Sequence, residues 1–311
     1  MQEEDTLFSS NVKRPLADRL RPTKLEEVVG QNHLVADDAP LGRMIKSGKM
    51  TSFILWGPPG CGKTTIARLI AEYTNLYFEQ ISAVFSGVAD LKRVFQYAEE
   101  RRRNQGKGTL LFVDEIHRFN KSQQDGFLPY VENGTVVLVG ATTENPSFEL
   151  NAALLSRCQV FVLNRLTAED FEELLQRAER EEGQKLPVDD EARELMKTVA
   201  DGDGRYILNI AESVWAYAKP DEIFDKDKLM KIIRSRAPVY DKGRDGHYNL
   251  ISAVHKSLRG SDVDAALYWA GRMLVSGEDP RYLLRRLVRF SIEDISLADP
   301  NAVVQAIACA D

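Results

Sequence analysis

Three apolar runs punctuate the first half of the chain: Phe53-Ile54-Leu55-Trp56, Leu110-Leu111-Phe112-Val113 and Val136–Gly140. Runs this short, bounded by glycine and polar residues, fit strands buried on both faces of a parallel sheet. Further strands are expected at Tyr77–Ile81 and Val160–Leu163. Between them apolar residues recur at helical spacing, as Ile66, Leu69 and Ile70 do within 65–74. Further helices are expected at 88–103, 121–132 and 151–155. Strands alternating with helices imply an α/β core, a parallel sheet flanked by helices. The pattern changes after Leu163. Thr167-Ala168-Glu169-Asp170 reads as an N-cap with acids in the first turn. Helices follow at 168–181, 189–201, 205–218 and 225–235 with no strand among them. Ala237-Pro238 ends this section, and Tyr240–Gly246 reads as a linker. Helical patterns resume at 249–259, 262–277, 280–294 and 300–310, so that the chain stops inside a helical pattern, as a longer parent cut short would. The expected organisation is a flexible arm at 1–14, the core at 15–165, a helical section at 166–238, a linker at 239–247 and a second helical section at 248–311.

A chain of 311 residues has room for two or three domains. A net charge of −6 gives no support to a simple nucleic-acid coat protein, although a local basic surface would be sufficient for DNA binding. No apolar run approaches the roughly 20 residues of a membrane span. Cys61, Cys158 and Cys309 are too widely spaced for a metal pattern, and three make no even disulfide set, which fits a reducing cytoplasm. His33, His117, His247 and His255 have no ligand spacing either.

The chemistry is concentrated where the strands end. Gly57-Pro58-Pro59-Gly60-Cys61-Gly62-Lys63-Thr64, followed by Thr65, lies between the first strand and a helix. That is the context of a phosphate-binding P-loop. Glycines let backbone N–H groups converge on phosphate oxygens, and the helix N-terminus adds its positive end. Lys63 is expected to reach the β- and γ-phosphates of a nucleoside triphosphate, and Thr64 to hold Mg²⁺. The strand at 110–113 delivers Asp114-Glu115 to the same edge of the sheet. Asp114 suits Mg²⁺ and its water shell, and Glu115 suits activation of the attacking water. The strand after it ends in Thr142-Thr143. Thr142 is the first choice for a hydroxyl orienting that water and Thr143 the second; a plain strand cap is the alternative.

These elements, with Leu154-Leu155-Ser156-Arg157-Cys158 after them, resemble AAA+ ATPases of the clamp-loader clade. The resemblance implies that Arg157 serves the ATP of a neighbouring subunit as an arginine finger. It implies that Arg205, in Gly202-Asp203-Gly204-Arg205, contacts the γ-phosphate in its own subunit. Ser82 matches a polar position that restrains the catalytic glutamate. Arg19 and Arg21-Pro22 are placed near the nucleotide and Val28-Val29 beside the adenine, with core packing an equal reading for the valines.

Longer stretches narrow the match. They include Pro15–Pro22, Val29–Leu34, Asp114–Asp125, Gly140–Phe148, His255–Asp262, Ala266–Trp269, Gly277–Pro280 and Arg285–Phe290. From about residue 14 onward the chain resembles the replication-associated recombination protein A family. The resemblance implies a AAA+ core, a helical lid over 166–238 and an oligomerisation domain, incomplete here, over 248–311. It further implies a DNA-dependent ATPase at stalled or gapped forks, acting on single-strand/duplex junctions and ends. Single-stranded DNA-binding protein and a homotetramer are the implied partners, and the tetramer is in doubt for a chain with part of that domain. The alternative is an ATP-switched scaffold that recruits or unloads replication proteins, with hydrolysis as the reset; a Holliday-junction motor shares the ATP site but not the Ser-Arg-Cys element.

Other features favour plainer readings. Arg101-Arg102-Arg103 and Lys107 read as a solvated helix end before a phosphate contact. Arg281, Arg285 and Arg289 read as a salt-bridged or interface face before a DNA surface. Tyr268 and Trp269 read as core, and His117 as packing beside the acids. Thr6-Leu7-Phe8 faintly resembles the end of a sliding-clamp-binding peptide.

Overall fold

A computed structural model describes residues 14–220, 222–240, 244–275 and 280–310. The arm, the possible clamp-binding peptide, the middle of the linker and Gly277-Glu278-Asp279 lie outside the described residues. The chain divides into two compact units, Met1–Leu229 and Met230–Asp311.

In the first unit the strands are β1 (Phe53–Trp56), β2 (Tyr77–Ser82), β3 (Thr109–Asp114), β4 (Val136–Thr142) and β5 (Gln159–Val162). They form one parallel sheet in the order β2-β3-β4-β1-β5. The three unbroken apolar runs are the three central strands, covered on both faces. The other two strands, β2 and β5, are the edges and expose side chains to solvent. Successive residues of a strand face opposite layers. Phe53, Leu55, Leu110, Phe112, Val139 and Ala141 therefore pack on the helix Lys63–Tyr73 through Ile66, Leu69 and Ile70. Ile54, Leu111, Val113 and Leu138 pack on the helix Val88–Gln105 through Leu91, Val94, Phe95 and Ala98. Because every strand runs the same way, β1, β3 and β4 present their following residues at one edge. The Gly57 N–H donates to the Thr142 carbonyl at 3.2 Å, tying the loop after β1 to the end of β4.

The helices Ala168–Glu182, Asp190–Ala200 and Gly204–Tyr217 bury Phe171, Leu175, Met196, Ile207 and Ala211. The expected N-cap is present: Thr167 and Asp170 exchange hydrogen bonds at 2.8 and 3.3 Å. Three differences from expectation have physical causes. The helix over 121–132 is two helices, Lys121–Asp125 and Leu128–Glu132, because Pro129 cannot donate to the Asp125 carbonyl and crowds it. The helix expected to stop near 235 runs Lys226–Tyr240: Pro238 forfeits one N–H···O bond only two residues before the end, so little helix lies beyond it to disrupt. Arg101 is no solvated helix end: it lies 3.4 Å over the Tyr77 ring and donates to Thr109 Oγ1 at 2.8 Å.

The second unit contains the helices Arg244–Arg259, Val263–Val275, Pro280–Phe290 and Pro300–Ala310. Its small core joins Ile251, Val254, Met273 and Leu283, with Trp269 packed against it. Tyr268 corrects the core reading: it is exposed and meets the Trp269 ring edge-on. Among the described residues no helix is long and apolar enough to cross a membrane.

Candidate active site

At the carboxyl edge of the sheet a cleft of about 210 Å³ opens between the core and the lid helices, wholly within the first unit. The loop after β1 and the start of the helix Lys63–Tyr73 supply Pro59, Gly60, Cys61, Gly62, Lys63, Thr64 and Thr65 to its lining, and the end of β3 with the residue after it supplies Asp114 and Glu115. Gly60 and Gly62 have φ of +67° and +100°, the left-handed region that glycine enters freely. A Cβ on Gly60 would lie 1.8 Å from Asp203 Oδ1, so only glycine fits there. Gly62 caps the helix beginning at Lys63, whose first N–H groups have no intrahelical partner.

Lys63 is buried, and its Nζ donates to the Gly57 and Pro58 carbonyls, both at 2.7 Å. These bonds go to neutral oxygens and not to a carboxylate. The site therefore keeps a positive charge at a helix N-terminus, which suits an anionic ligand. Gly57 and Pro58 are outside the lining and act by holding this lysine. The Cys61 thiol donates to the Pro58 carbonyl at 3.0 Å, and burial pushes its pKa up, leaving it a packing group.

Glu115 has φ +53°, a left-handed conformation at a non-glycine residue. Thr143 Oγ1 lies 3.5 Å and His117 Nδ1 3.3 Å from its Oε2. Burial raises the Glu115 pKa and Asp114 adds to the rise, against the lowering effect of His117, Lys63 and Arg118. Thr142, the first-choice hydroxyl, is fully buried outside the lining, 2.9 Å from His117 Nδ1. Thr143, the second choice, is the one that reaches Glu115. Ser82 stands beside Asp114 in the β2–β3 register.

The lid joins the loop directly. Asp203 Oδ1 caps the helix Gly204–Tyr217 by accepting from the Arg205 and Tyr206 N–H groups at 2.9 and 3.0 Å. The Gly204 N–H donates to the Gly60 carbonyl at 3.3 Å. Arg205 lines the cleft. The apolar walls are Val28, Val29, Leu20 and Pro22 on one side and Leu166, Leu174 and Leu208 on the other. Val28 is also part of the core cluster, as its core-packing reading expects.

Arg19, expected near the nucleotide, is also absent from the lining, and so is Arg157, which was expected to serve a neighbouring subunit. Arg19 pairs with Glu182 and with Glu181 at 3.0 Å, joining the N-terminal segment to the lid. Arg157 donates to Glu132 at 2.6 Å and to the Ala153 carbonyl at 2.7 Å. The lid leucines were not singled out from the sequence because a cleft-facing leucine on an amphipathic helix has the spacing of a core leucine. Asp203 had a usable signal, an aspartate directly before a helix. Among the described residues no group of three or more His, Cys, Asp or Glu could hold a metal ion. A magnesium ion keeps several waters, so the two oxygen donors Thr64 and Asp114 would be enough protein ligands for one.

Comparisons with known proteins agree with this architecture. Residues 53–166 match the family described as ATPase family associated with various cellular activities (AAA). Residues 182–259 match the AAA C-terminal domain, and residues 260–311 match the MgsA AAA+ ATPase C-terminal family. The chain is 47% identical to the replication-associated recombination protein A of Escherichia coli strain K12, over 98% of this chain and 70% of that protein. It is 39% identical to the Bacillus subtilis protein of the same name, over 96% of this chain and 72% of the relative. The Thermotoga maritima RuvB Holliday junction branch migration motor superposes with a TM-score of 0.57 at 23% identity, covering 93% of this chain and 85% of that one. At that identity the likeness is one of fold.

Proposed function

This chain belongs to the replication-associated recombination protein A family of AAA+ ATPases, and we propose that its cleft binds ATP with Mg²⁺ and hydrolyses it to remodel DNA at stalled or gapped replication forks. The observation that carries the ATP site is the buried Lys63 ammonium in a glycine loop at a helix N-terminus, with Glu115 across the cleft. Lys63 and Arg205 take up phosphate charge. Thr64 and Asp114 hold Mg²⁺, which neutralises phosphate charge when bound. Val28 and Val29 meet the adenine. Glu115 accepts the proton of the attacking water. The 3.5 Å approach of Thr143 to Glu115 supports it over Thr142 as the hydroxyl that helps orient that water.

Arg157 is bound to Glu132 rather than lining the cleft of its own chain, which fits a residue that serves a second copy. An arginine finger is worth roughly 10³–10⁵ in rate, so turnover would require assembly. A role in replication-associated recombination is what the relatives' names support; action at forks, single-stranded DNA-binding protein as a partner and the cytoplasmic nucleoid as location are carried by the family resemblance alone. Measuring ATP turnover with and without forked DNA tests the role. Stimulation of at least about tenfold is expected of a DNA-dependent ATPase. Unchanged turnover together with no DNA binding would contradict it.

A further inference from the structure

The contact on Glu115 comes from its own turn. Its left-handed backbone leads into the single turn Ile116–Arg118, closed by the Arg118 N–H on the Glu115 carbonyl at 2.8 Å and anchored by the buried Ile116. The reversal brings the ring of residue 117 back over the carboxylate of residue 115. The His117 side chain is 8% exposed, with Nδ1 3.3 Å from Glu115 Oε2 and 2.9 Å from Thr142 Oγ1.

The proton on that nitrogen can be assigned from its surroundings. The Thr142 hydroxyl has an acceptor of its own, the Glu144 carbonyl at 3.2 Å, and its oxygen accepts from the Glu144 N–H at 3.0 Å. It does not need Nδ1 as an acceptor. A bare Nδ1 would direct its lone pair at the carboxylate. A protonated Nδ1 instead donates to the Thr142 oxygen and presents a positive N–H 3.3 Å from the carboxylate, which leaves no conflict.

We propose that His117 is a positioning residue for hydrolysis: its Nδ1–H, fixed against the buried Thr142 hydroxyl at the end of β4, holds Oε2 of Glu115 and leaves Oε1 free for the attacking water. The proposal rests on the reading of Glu115 as the water-activating group. It assigns Thr142 a role behind His117 rather than at the water. It also gives the left-handed backbone at Glu115 a purpose, since an extended residue there would carry the ring away.

The test compares three variants of the full chain by ATP turnover, fluorescent ATP binding and thermal melting. In His117→Asn the amide nitrogen can replace Nδ1. In His117→Gln it falls nearer the position of Nε2, and His117→Leu has no donor. The expected result is a kcat within about threefold of wild type for Asn, and a loss of about tenfold or more for Gln and Leu, with KM for ATP within about twofold throughout. If Leu fails to fold, the Asn–Gln contrast carries the test. Equal kcat for Asn and Gln, or wild-type kcat for Leu, overturns the proposal. Glu115→Gln serves as the control. If it is inactive while His117→Leu is fully active, the proposal alone falls. Wild-type turnover in Glu115→Gln removes the reading of Glu115 and this proposal with it.

Discussion

Glu172 illustrates how a single side chain makes stability depend on pH. Hydrogen bonds from Arg193, at 2.8 and 3.0 Å, and from Lys197, at 2.9 Å, hold its carboxyl at about 2 against an ordinary 4.5. A depressed carboxyl stabilises the fold fully above its unfolded pKa and loses that contribution as pH falls through the folded one. The carboxyl is partly exposed, so solvent screening reduces the effect to roughly 1 kcal/mol. Glu172→Gln is therefore expected to lower stability by about that much at neutral pH, with the gap to wild type closing between pH 4.5 and about 2. Urea unfolding across that range measures it. At the same scale, the loop after β1 and Asp114-Glu115 were legible in the sequence because fixed spacing after an apolar run leaves little choice. The two threonines were not. Side chains alternate along a strand, and sequence does not locate a strand end to one residue, so it cannot say which hydroxyl turns toward Glu115.

At the scale of elements, the start of the helix Gly204–Tyr217 joins the lid to the loop after β1. Asp203 caps that helix and abuts Gly60. Asp203→Ala should cost about 1 kcal/mol in stability and also raise the KM for ATP, whereas Asp203→Asn should restore most of both. Thermal melting beside ATP titration separates the two effects; a loss of stability without a change in KM would disconnect the cap from the site. The central strands were legible as short unbroken apolar runs, and the long helices because their apolar residues repeat with the helical period. The single turns Leu16–Arg19, Asn32–Val35 and Pro146–Glu149 were not, since four residues carry no period. The break at Pro129 was there to be read but was outweighed by the apolar pattern on either side.

At the scale of the first unit, the segment before β1 spans core and lid. The Leu16 N–H donates to Glu212 at 3.0 Å, Arg19 holds Glu181 and Glu182, and Arg177 donates to the Glu27 carbonyl at 2.5 Å. Gln31 makes a two-bond clamp on the Asn164 backbone, at 2.9 and 3.0 Å, where β5 leaves for the lid. Such pairings join residues more than a hundred positions apart, so no local pattern announces them. The same holds for Arg157, whose proposed target lies in another copy. If it acts in trans, an inactive Arg157→Ala protein mixed with an inactive Glu115→Gln protein should regain turnover, because the latter supplies the missing arginine. A mixture no more active than its components contradicts trans action.

The central claim, that this cleft hydrolyses ATP through Glu115, is tested most directly by measuring ATP binding and ATP turnover on the same Glu115→Gln preparation. The account predicts binding within about twofold of wild type and turnover reduced by about a hundredfold or more. Wild-type turnover in that protein would contradict it.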